Sequence, residues 1–426
     1  MQLRPLPRPR GARAGHVAGL LALAVGNLLG REAAALELHG VSIDQATLFY
    51  QEQGRIGVVE PVVTVRLPLP GEQALSLHYG FDAMSGASPN GATPTVTSHT
   101  YTSPSGNSYT VSRGELPVHA FRDIRNAGSV DYERPLSRRL KLNTGLNASF
   151  ETDYRSLGAS LSLALELNQK LTTLSLGLST SADRLRPQGG VPVPLSDYML
   201  RVPGADGANK RIEDVLLGLT QVMGRGWLTQ LNLGLGRDQG DMTDPYKGVS
   251  LVDAQGEPTR WVFESRPDAR TRATLFWGNA VHLGRDVIHA DWRVYHDSWG
   301  VRANTVSLQY WLKPELGLPG LRARPELRFS SQSRADFYAH SVMRSAYEAA
   351  PPAHLSADSR LAAMQSWAFS LRVDLPETDW GQLWLKPMYL RQHFSLSPGA
   401  VGVQQQVDLV PDLKVWMVTL GFRTTL

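Results

Sequence analysis

The sequence predicts a transmembrane antiparallel β-barrel of about sixteen strands. Three observations carry this prediction. Apolar and polar residues alternate over runs of about ten residues, tight turns separate many of these runs, and the long connections all fall at one predicted end. Strands of soluble sandwiches are usually about five or six residues long, whereas a tilted strand needs about 9–11 residues to cross a bilayer.

The alternation is clearest between residues 270 and 338. The run 286–299 puts Ile288, Ala290, Trp292 and Val294 on one face and His289, Asp291, Arg293 and Tyr295 on the other. The run 321–333 alternates Arg322, Arg324, Glu326 and Arg328 with Ala323, Pro325 and Leu327. A period of two is a strand pattern, because successive side chains of a strand point to opposite faces.

The same pattern predicts an even number of strands, as expected for single-chain bacterial barrels. The predicted strands cover 44–52, 58–69, 73–83, 127–135, 140–152, 157–167, 171–182, 213–223, 227–236, 273–283, 286–299, 303–313, 321–333, 364–375, 382–394 and 413–426. With the last residue in the periplasm, the long connections 85–126, 185–210, 239–269, 335–361 and 397–412 all fall on the outer side. Short periplasmic turns and long outer loops are typical of these barrels.

The N-terminus predicts a cleaved secretory signal over residues 1–35 and a single barrel domain over 36–426. Four arginines precede an apolar run over 18–29, and Ala33-Ala34-Ala35 supplies a small-residue cleavage site after Ala35. The alternative, a membrane anchor, needs a longer apolar run. Export predicts the outer membrane as the location, with its lipid and lipopolysaccharide and the barrel-assembly machinery as partners.

Composition excludes some classes of function. The chain has 426 residues and no cysteine, which excludes disulfides and cysteine-ligated metals. Its net charge of +4 equals the charge of residues 1–35, with five Arg and one Glu, so the remainder sums to zero. We therefore predict no nucleic-acid partner.

In a barrel, the leucine face of such strands meets lipid and the polar face lines a lumen. The predicted lumen-lining residues are His289, Asp291, Arg293, Tyr295, Arg322, Arg324, Glu326 and Arg328. Two interpretations of the arginines stay open. They form a basic strip that favours anions, or a structural ladder in which each arginine pairs with a neighbouring carboxylate.

No motif predicts catalytic, cofactor-binding or metal-binding residues. His289 and Asp291 share a face, but same-face neighbours lie about 7 Å apart along a strand, so a solvated lumen wall is the favoured interpretation. The acids of 238–244 lack the alternating pattern and distal Glu of a calcium loop. Phosphate-loop, dinucleotide and nucleophile-elbow motifs are absent from the sequence.

Several segments resemble a known family. They are YQEQGRIGVVEP (50–61), DAMSGASP (82–89), WRVYHDSWGVRANTVSLQYW (292–311) and RFSSQSRADFY (328–338). They are similar to the bacterial domain-of-unknown-function family 3570, and the resemblance extends over nearly all of the mature chain. It implies an outer-membrane β-barrel with no agreed activity. Many such barrels end in an aromatic residue, whereas this chain ends in Leu426, with Phe422 upstream.

Three functional hypotheses follow. The first is a channel or transport pore for small solutes, without catalysis, because a barrel of about sixteen strands leaves an aqueous lumen. The second is an outer-membrane enzyme that acts on lipid or lipopolysaccharide, which needs a Ser/His/Asp constellation on the lipid-facing wall. The third is a scaffold or assembly partner with a plugged lumen.

Overall fold

A closed antiparallel barrel of sixteen strands forms the body of the molecule in the computed structural model, as predicted. The structure describes residues 40–95, 99–102, 108–115, 117–187, 189–198, 204–314 and 318–426. The expected signal segment and its cleavage after Ala35 therefore lie outside the described residues. The barrel strands are β1 (Ser42–Glu52), β2 (Ile56–Leu69), β3 (Gln73–Pro89), β6 (Val118–Pro135), β7 (Leu140–Phe150), β8 (Tyr154–Leu167), β9 (Thr172–Leu185), β10 (Ala208–Gly224), β11 (Trp227–Gly240), β14 (Ala269–Leu283), β15 (Asp286–Asp297), β16 (Arg302–Trp311), β17 (Arg322–Gln332), β19 (Ala363–Asp374), β20 (Gln382–Ser395) and β21 (Leu413–Thr425).

Each barrel strand pairs with its neighbours along the chain, and β1 pairs with β21 to close the barrel. The strands are 10 to 18 residues long, which is enough to cross a bilayer at a tilt. Several extend further than the alternation predicted. The first long connection is shorter than the predicted 85–126, because β3 continues to Pro89 and β6 begins at Val118. The added residues, MSGASP (84–89) and VHAFRDIRN (118–126), lack the sustained apolar alternation that marks the strand centres.

The strands join through tight turns at one end. Gly284 adopts a φ of +64° between β14 and β15, a conformation that glycine adopts without steric cost. Between β8 and β9, Asn168, Gln169 and Lys170 all have positive φ, so this turn places three non-glycine residues in the left-handed region. Short reversals of this kind set the register between adjacent strands.

Alternation gives the barrel wall one apolar and one polar face. Leucine, valine and tryptophan occupy the apolar face and are exposed in the isolated chain, with Leu146 67% and Trp416 64% exposed. Cross-strand pairs keep this face continuous, as in Leu163, which lies opposite Leu142 and Leu176. An apolar surface that extends around a closed barrel is the surface that such proteins present to lipid.

The five long connections contain structure that the sequence pattern did not predict. A three-stranded sheet forms from β13 (Pro258–Phe263), β12 (Gly248–Val252) and β18 (Ser341–Met343), followed by the short helix α1 (Arg344–Ala349). A hairpin of β4 (His99–Thr102) and β5 (Ser108–Val111) lies in the first connection. Among the described residues, no helix is long and apolar enough to span a membrane.

We call the described parts of 90–117, 186–207, 241–268, 333–362 and 396–412 the loop cap. Its core is apolar, and Val249, Leu251, Val262 and Phe263 are fully buried. Backbone hydrogen bonds join its segments, as from Tyr198 N–H to the Trp261 carbonyl. The loop cap is therefore a packed unit rather than a set of separate loops.

Candidate functional site

The residues predicted from β15 lie on the polar face, where His289, Arg293 and Tyr295 each contact a neighbouring side chain. The His289 ring packs against Trp311, with 4.6 Å between the ring centroids. The Arg293 guanidinium lies 5.8 Å from the centre of the Phe276 ring. The Tyr295 hydroxyl donates a hydrogen bond of 2.7 Å to Asp297. The predicted pair His289 and Asp291 is thus part of a wider polar surface that joins several strands.

The β17 arginines meet a carboxylate that sequence reasoning did not identify. Asp374, at the end of β19, is 1% exposed. Arg324 Nη2 lies 2.7 Å from Asp374 Oδ2, and Arg372 Nη2 lies 2.7 Å from Asp374 Oδ1. One buried carboxylate therefore holds two guanidinium groups.

Each of these two guanidinium groups also stacks on an indole ring. Arg324 lies 4.4 Å from the Trp311 ring centre, and Arg372 lies 3.9 Å from that of Trp384. Such contacts stabilise a cation over the negative face of an aromatic ring. We call these five residues, Trp311, Arg324, Arg372, Asp374 and Trp384, the arginine–aromatic cluster.

A second ion-pair group lies next to this cluster. Glu326 contacts Lys386 at 3.3 Å and Arg328 at 3.0 Å, and the Ser370 hydroxyl donates to it at 3.2 Å. Here too one carboxylate faces two cations. The ladder interpretation thus describes Arg324 and Arg328, while cations outnumber carboxylates on this part of the wall.

At the loop-cap end of the wall, Arg270 and Arg272 connect strands through acids. Arg270 contacts Asp297 at 2.5 Å and stacks on Trp299 at 4.3 Å. Arg272 bridges Asp214 at 3.0 Å and Asp238 at 2.8 Å. These residues were not among the predicted set, although the alternation of ARTRATLFW does place both arginines on the polar face.

The polar face of β7 to β11 is chemically different. It carries small or uncharged residues such as Asn143, Gly145, Asn147, Gly158, Ser160, Ser162, Ser175, Gly177, Ser179, Gly218, Asn232 and Gly234. Their side chains lean over the glycines: a Cβ added to Gly145 would lie 2.6 Å from Ser160 Oγ. We call this region the glycine–serine sector. The polar faces of β15, β16, β17, β19 and β20 form the arginine–aromatic sector.

One row on the polar face has the residue types of a catalytic triad. Thr64 Oγ1 lies 2.8 Å from His78 Nδ1, and His78 Nε2 lies 3.7 Å from Asp131 Oδ2. The second separation is longer than a hydrogen bond, and the three residues are cross-strand neighbours of β2, β3 and β6. The row is a ladder between adjacent strands, and it faces away from the apolar face that a lipid-directed enzyme would use.

The loop cap holds a buried network of charges. Glu264 is fully buried and accepts hydrogen bonds from Arg266 at 2.6 Å and from the Asp244 N–H at 2.7 Å. Burial raises the pKa of Glu264. Burial alone would also raise the pKa of Asp358, but the adjacent Arg360 guanidinium holds that pKa well below its usual range. The network fixes the connections 241–268 and 333–362 to one another.

Two groups of acids have residue types that could bind a metal. Asp123, Glu151 and Asp153 each offer an oxygen, and these atoms lie within 4.8 Å of one another. The Thr152 hydroxyl donates to Asp123 at 2.7 Å, and Tyr246 donates to Asp153 at 2.6 Å. In 238–244, Asp238 and Asp244 pair with Arg272 and Arg360. Hydrogen bonds and arginines thus already engage many of these oxygens.

A closed barrel of sixteen antiparallel strands, apolar on one face and charged on the other, defines a β-barrel of the outer-membrane type. The chain belongs to the family described as "Protein of unknown function (DUF3570)", whose sequence profile matches residues 17–424. This confirms the resemblance found in the sequence. No curated protein matches the chain.

Several solved structures share parts of this architecture. CdiB from Acinetobacter baumannii is 9% identical, with a TM-score of 0.47, and the match covers 90% of this chain and 60% of that one. The chain thus spans less than two thirds of that protein's length. A BenF-like porin from Pseudomonas fluorescens Pf-5 is 9% identical, with a TM-score of 0.43 and 92% and 100% coverage. The outer membrane protein opdK from Pseudomonas aeruginosa is 9% identical, with a TM-score of 0.41 and 90% and 98% coverage. At these values the likeness says nothing about what the chain does.

Proposed function

We propose that the protein is an outer-membrane pore through which small solutes pass, without catalysis. The observation that carries the proposal is the wall itself, in which sixteen strands close into a barrel that segregates charged from apolar side chains. Eight strands fill their interior with side chains, whereas sixteen leave room for an aqueous channel. A wall of this kind supports passage of water-soluble molecules along the barrel axis.

In this proposal the polar face lines the lumen, including the predicted residues His289, Asp291, Arg293, Tyr295, Arg322, Arg324, Glu326 and Arg328. This assignment of the faces avoids the free-energy cost of placing arginines in lipid. An arginine on the lipid face costs about 2–4 kcal/mol at the bilayer midplane, and β17 carries three arginines on one face. Facing water removes that cost.

The proposed location follows from the same fold and from the N-terminus. We propose that the secretory signal is removed after Ala35 and that the mature protein enters the outer membrane through the barrel-assembly machinery. N-terminal sequencing of the protein from separated membranes tests this. The expected result is a chain that begins at Leu36 in the outer-membrane fraction, and an uncleaved chain in the inner membrane would contradict it.

Single-channel recording on the purified protein in planar bilayers tests the pore. Discrete conductance steps, absent from bilayers that receive a mock purification, are expected. A protein that inserts and keeps its barrel but gives no steps would favour the scaffold with a plugged lumen. Release of fatty acid or modified lipopolysaccharide by the purified protein would favour the enzyme instead, and that assay is independent of conductance.

A further inference from the structure

We propose that the arginine–aromatic cluster is a binding site for small carboxylates that carry a flat apolar group. The inference rests on the proposed pore, because solutes reach the cluster through the lumen. Arg322 and Arg324 begin β17 and Asp374 ends β19, so the site lies near the end of the barrel where the short turns are. The loop cap is at the opposite end.

Charge is the first argument. Around the cluster the polar faces of β17, β19 and β20 carry the cations Arg322, Arg324, Arg328, Arg372 and Lys386 and the anions Glu326 and Asp374, and five minus two leaves +3. On β15, two strands away from β17, Asp291 and Arg293 cancel. A surplus of cations on a water-facing wall attracts anions.

The two guanidinium groups of the cluster are also held in fixed positions. Asp374 and the two indole rings hold the guanidinium groups of Arg324 and Arg372 in place. Stacking uses the flat face of a guanidinium group, and Asp374 accepts from Nε and Nη2 of Arg372 and faces Nη2 of Arg324. A ligand carboxylate is therefore met by the other N–H groups along the guanidinium edges. A site ordered before binding loses less conformational entropy when its ligand arrives.

Trp311 indicates which carboxylates the site would bind, because its indole ring offers an apolar surface beside the arginine. Its side chain is 37% exposed although it lies on the polar face. Arg324 and His289 both contact this ring, so exposed indole surface adjoins a guanidinium group. A ligand with a carboxylate next to a flat apolar body can use both surfaces.

Ligand-observed NMR on the protein in nanodiscs tests the site, with potassium benzoate as the probe and empty nanodiscs as the blank. Acetate lacks the apolar body, and benzyl alcohol lacks the charge. We expect benzoate to bind more tightly than either. In Arg324→Gln the benzoate Kd should rise about tenfold, the change that ~1.4 kcal/mol produces. Arg372→Gln tests the same contact if Arg324→Gln does not assemble.

Arg66→Gln is the matched control. Arg66 lies on the polar face of β2, is 49% exposed and pairs with Glu133 at 3.1 Å. Its benzoate Kd should stay within about twofold of the wild-type value, whereas Trp311→Leu should bring benzoate down to the affinity of acetate. Equal weakening in Arg66→Gln and Arg324→Gln, or no benzoate binding by the wild type, would overturn the site.

Conductance separates this inference from the proposed pore. A conducting wild type that does not bind benzoate retains the pore and loses the site. Benzoate binding without conductance, lost in Arg324→Gln, retains the site and overturns the pore. In a conducting protein, benzoate should also reduce the current in a concentration-dependent way, and Arg324→Gln should weaken that block about tenfold.

Discussion

The glycine–serine sector and the arginine–aromatic sector are built on the same backbone and differ in what their strands present to the polar face. Both consist of antiparallel neighbours in regular register. In the first, glycines leave room for the side chains of adjacent strands, as where Leu216 packs over Gly177. In the second, long cationic side chains cross from strand to strand and stack on indole rings.

The difference shows that barrel closure and the chemistry of the polar face are set by alternate residues of the same strands. Backbone hydrogen bonds and the apolar face are common to both sectors, so they specify the barrel. The polar face is free to vary, because side chains that face water need no fixed packing partner. One sector of a barrel can therefore carry mainly small uncharged side chains at the centre of its polar face while another carries ordered charged ones.

The largest expected effect tests the face assignment on which the comparison depends. Leu163→Arg, in β8 of the glycine–serine sector, should lower the free energy of unfolding by about 2–4 kcal/mol, because it places a charge in lipid. Ser162→Arg should cost much less, because Ser162 lies on the polar face. Urea unfolding in lipid vesicles measures both variants. Similar losses would show that the faces are assigned incorrectly.

The next effect tests whether the arginine–aromatic sector depends on its charges for stability. Asp374→Asn should cost about 1.5–3 kcal/mol, since hydrogen bonds to charged groups are worth that much and two guanidinium groups lose their common partner. Ser160→Ala, in the glycine–serine sector, should change stability by less than about 0.5 kcal/mol. If the two variants lose equal stability, the arginine–aromatic cluster makes no special contribution to the free energy of unfolding.

A smaller effect concerns the loop cap, whose residues Tyr338, Leu361 and Ala362 form an apolar cluster with Trp299 and with Phe394 of β20. His340 is 3% exposed, and its Nε2 lies 2.7 Å from the Pro398 carbonyl and its Nδ1 3.0 Å from Ser341 Oγ. A carbonyl only accepts, so Nε2 carries the proton. Burial lowers the pKa of His340.

The sign of the pH effect follows from that lowered pKa. Below the ordinary pKa of about 6.5 the unfolded chain binds a proton that the folded cap excludes, so stability present above that pH falls as the pH drops. Hydrogen exchange of 396–412, corrected for intrinsic rates, should therefore speed up at pH 5.5 relative to pH 7.5. His340→Gln should remove most of this dependence. An unchanged dependence in the variant would show that groups other than His340 cause it.

The smallest effect on stability tests whether the glycine–serine sector borders the ion path. Ser160→Trp should leave unfolding nearly unchanged and reduce unit conductance, because a bulky ring then occupies open lumen. Leu161→Trp, one residue later on the apolar face, is the control and should keep the wild-type conductance. Equal conductances for all three proteins would place the ion path away from this sector.

Much of the barrel could be predicted from the sequence, because apolar and polar residues alternate within each strand. All sixteen strands lie where the pattern put them, since a face that meets lipid must be apolar at every second residue. The strand ends could not be predicted in the same way. Beyond the lipid, as in 84–89 of β3, neither face needs apolar residues.

Contacts that depend on strand register or on segments far apart in the chain could not be predicted from the sequence. Asp374 was visible as a polar residue at a strand end, but the connection 333–362 is too long to fix which residue of β17 lies opposite it. The loop-cap sheet pairs β12 with β18 in parallel across a large separation in sequence. Strands of three to six residues are too short to carry a periodic signal.

The pairing between β1 and β21 has a consequence for the route that a molecule can take. Their register runs without a break from Ser42 opposite Thr425 to Glu52 opposite Val415. The first and last strands are therefore hydrogen-bonded along their whole length. The barrel wall has no lateral opening between them. In the proposed pore, a solute therefore moves along the barrel axis and does not leave through this seam.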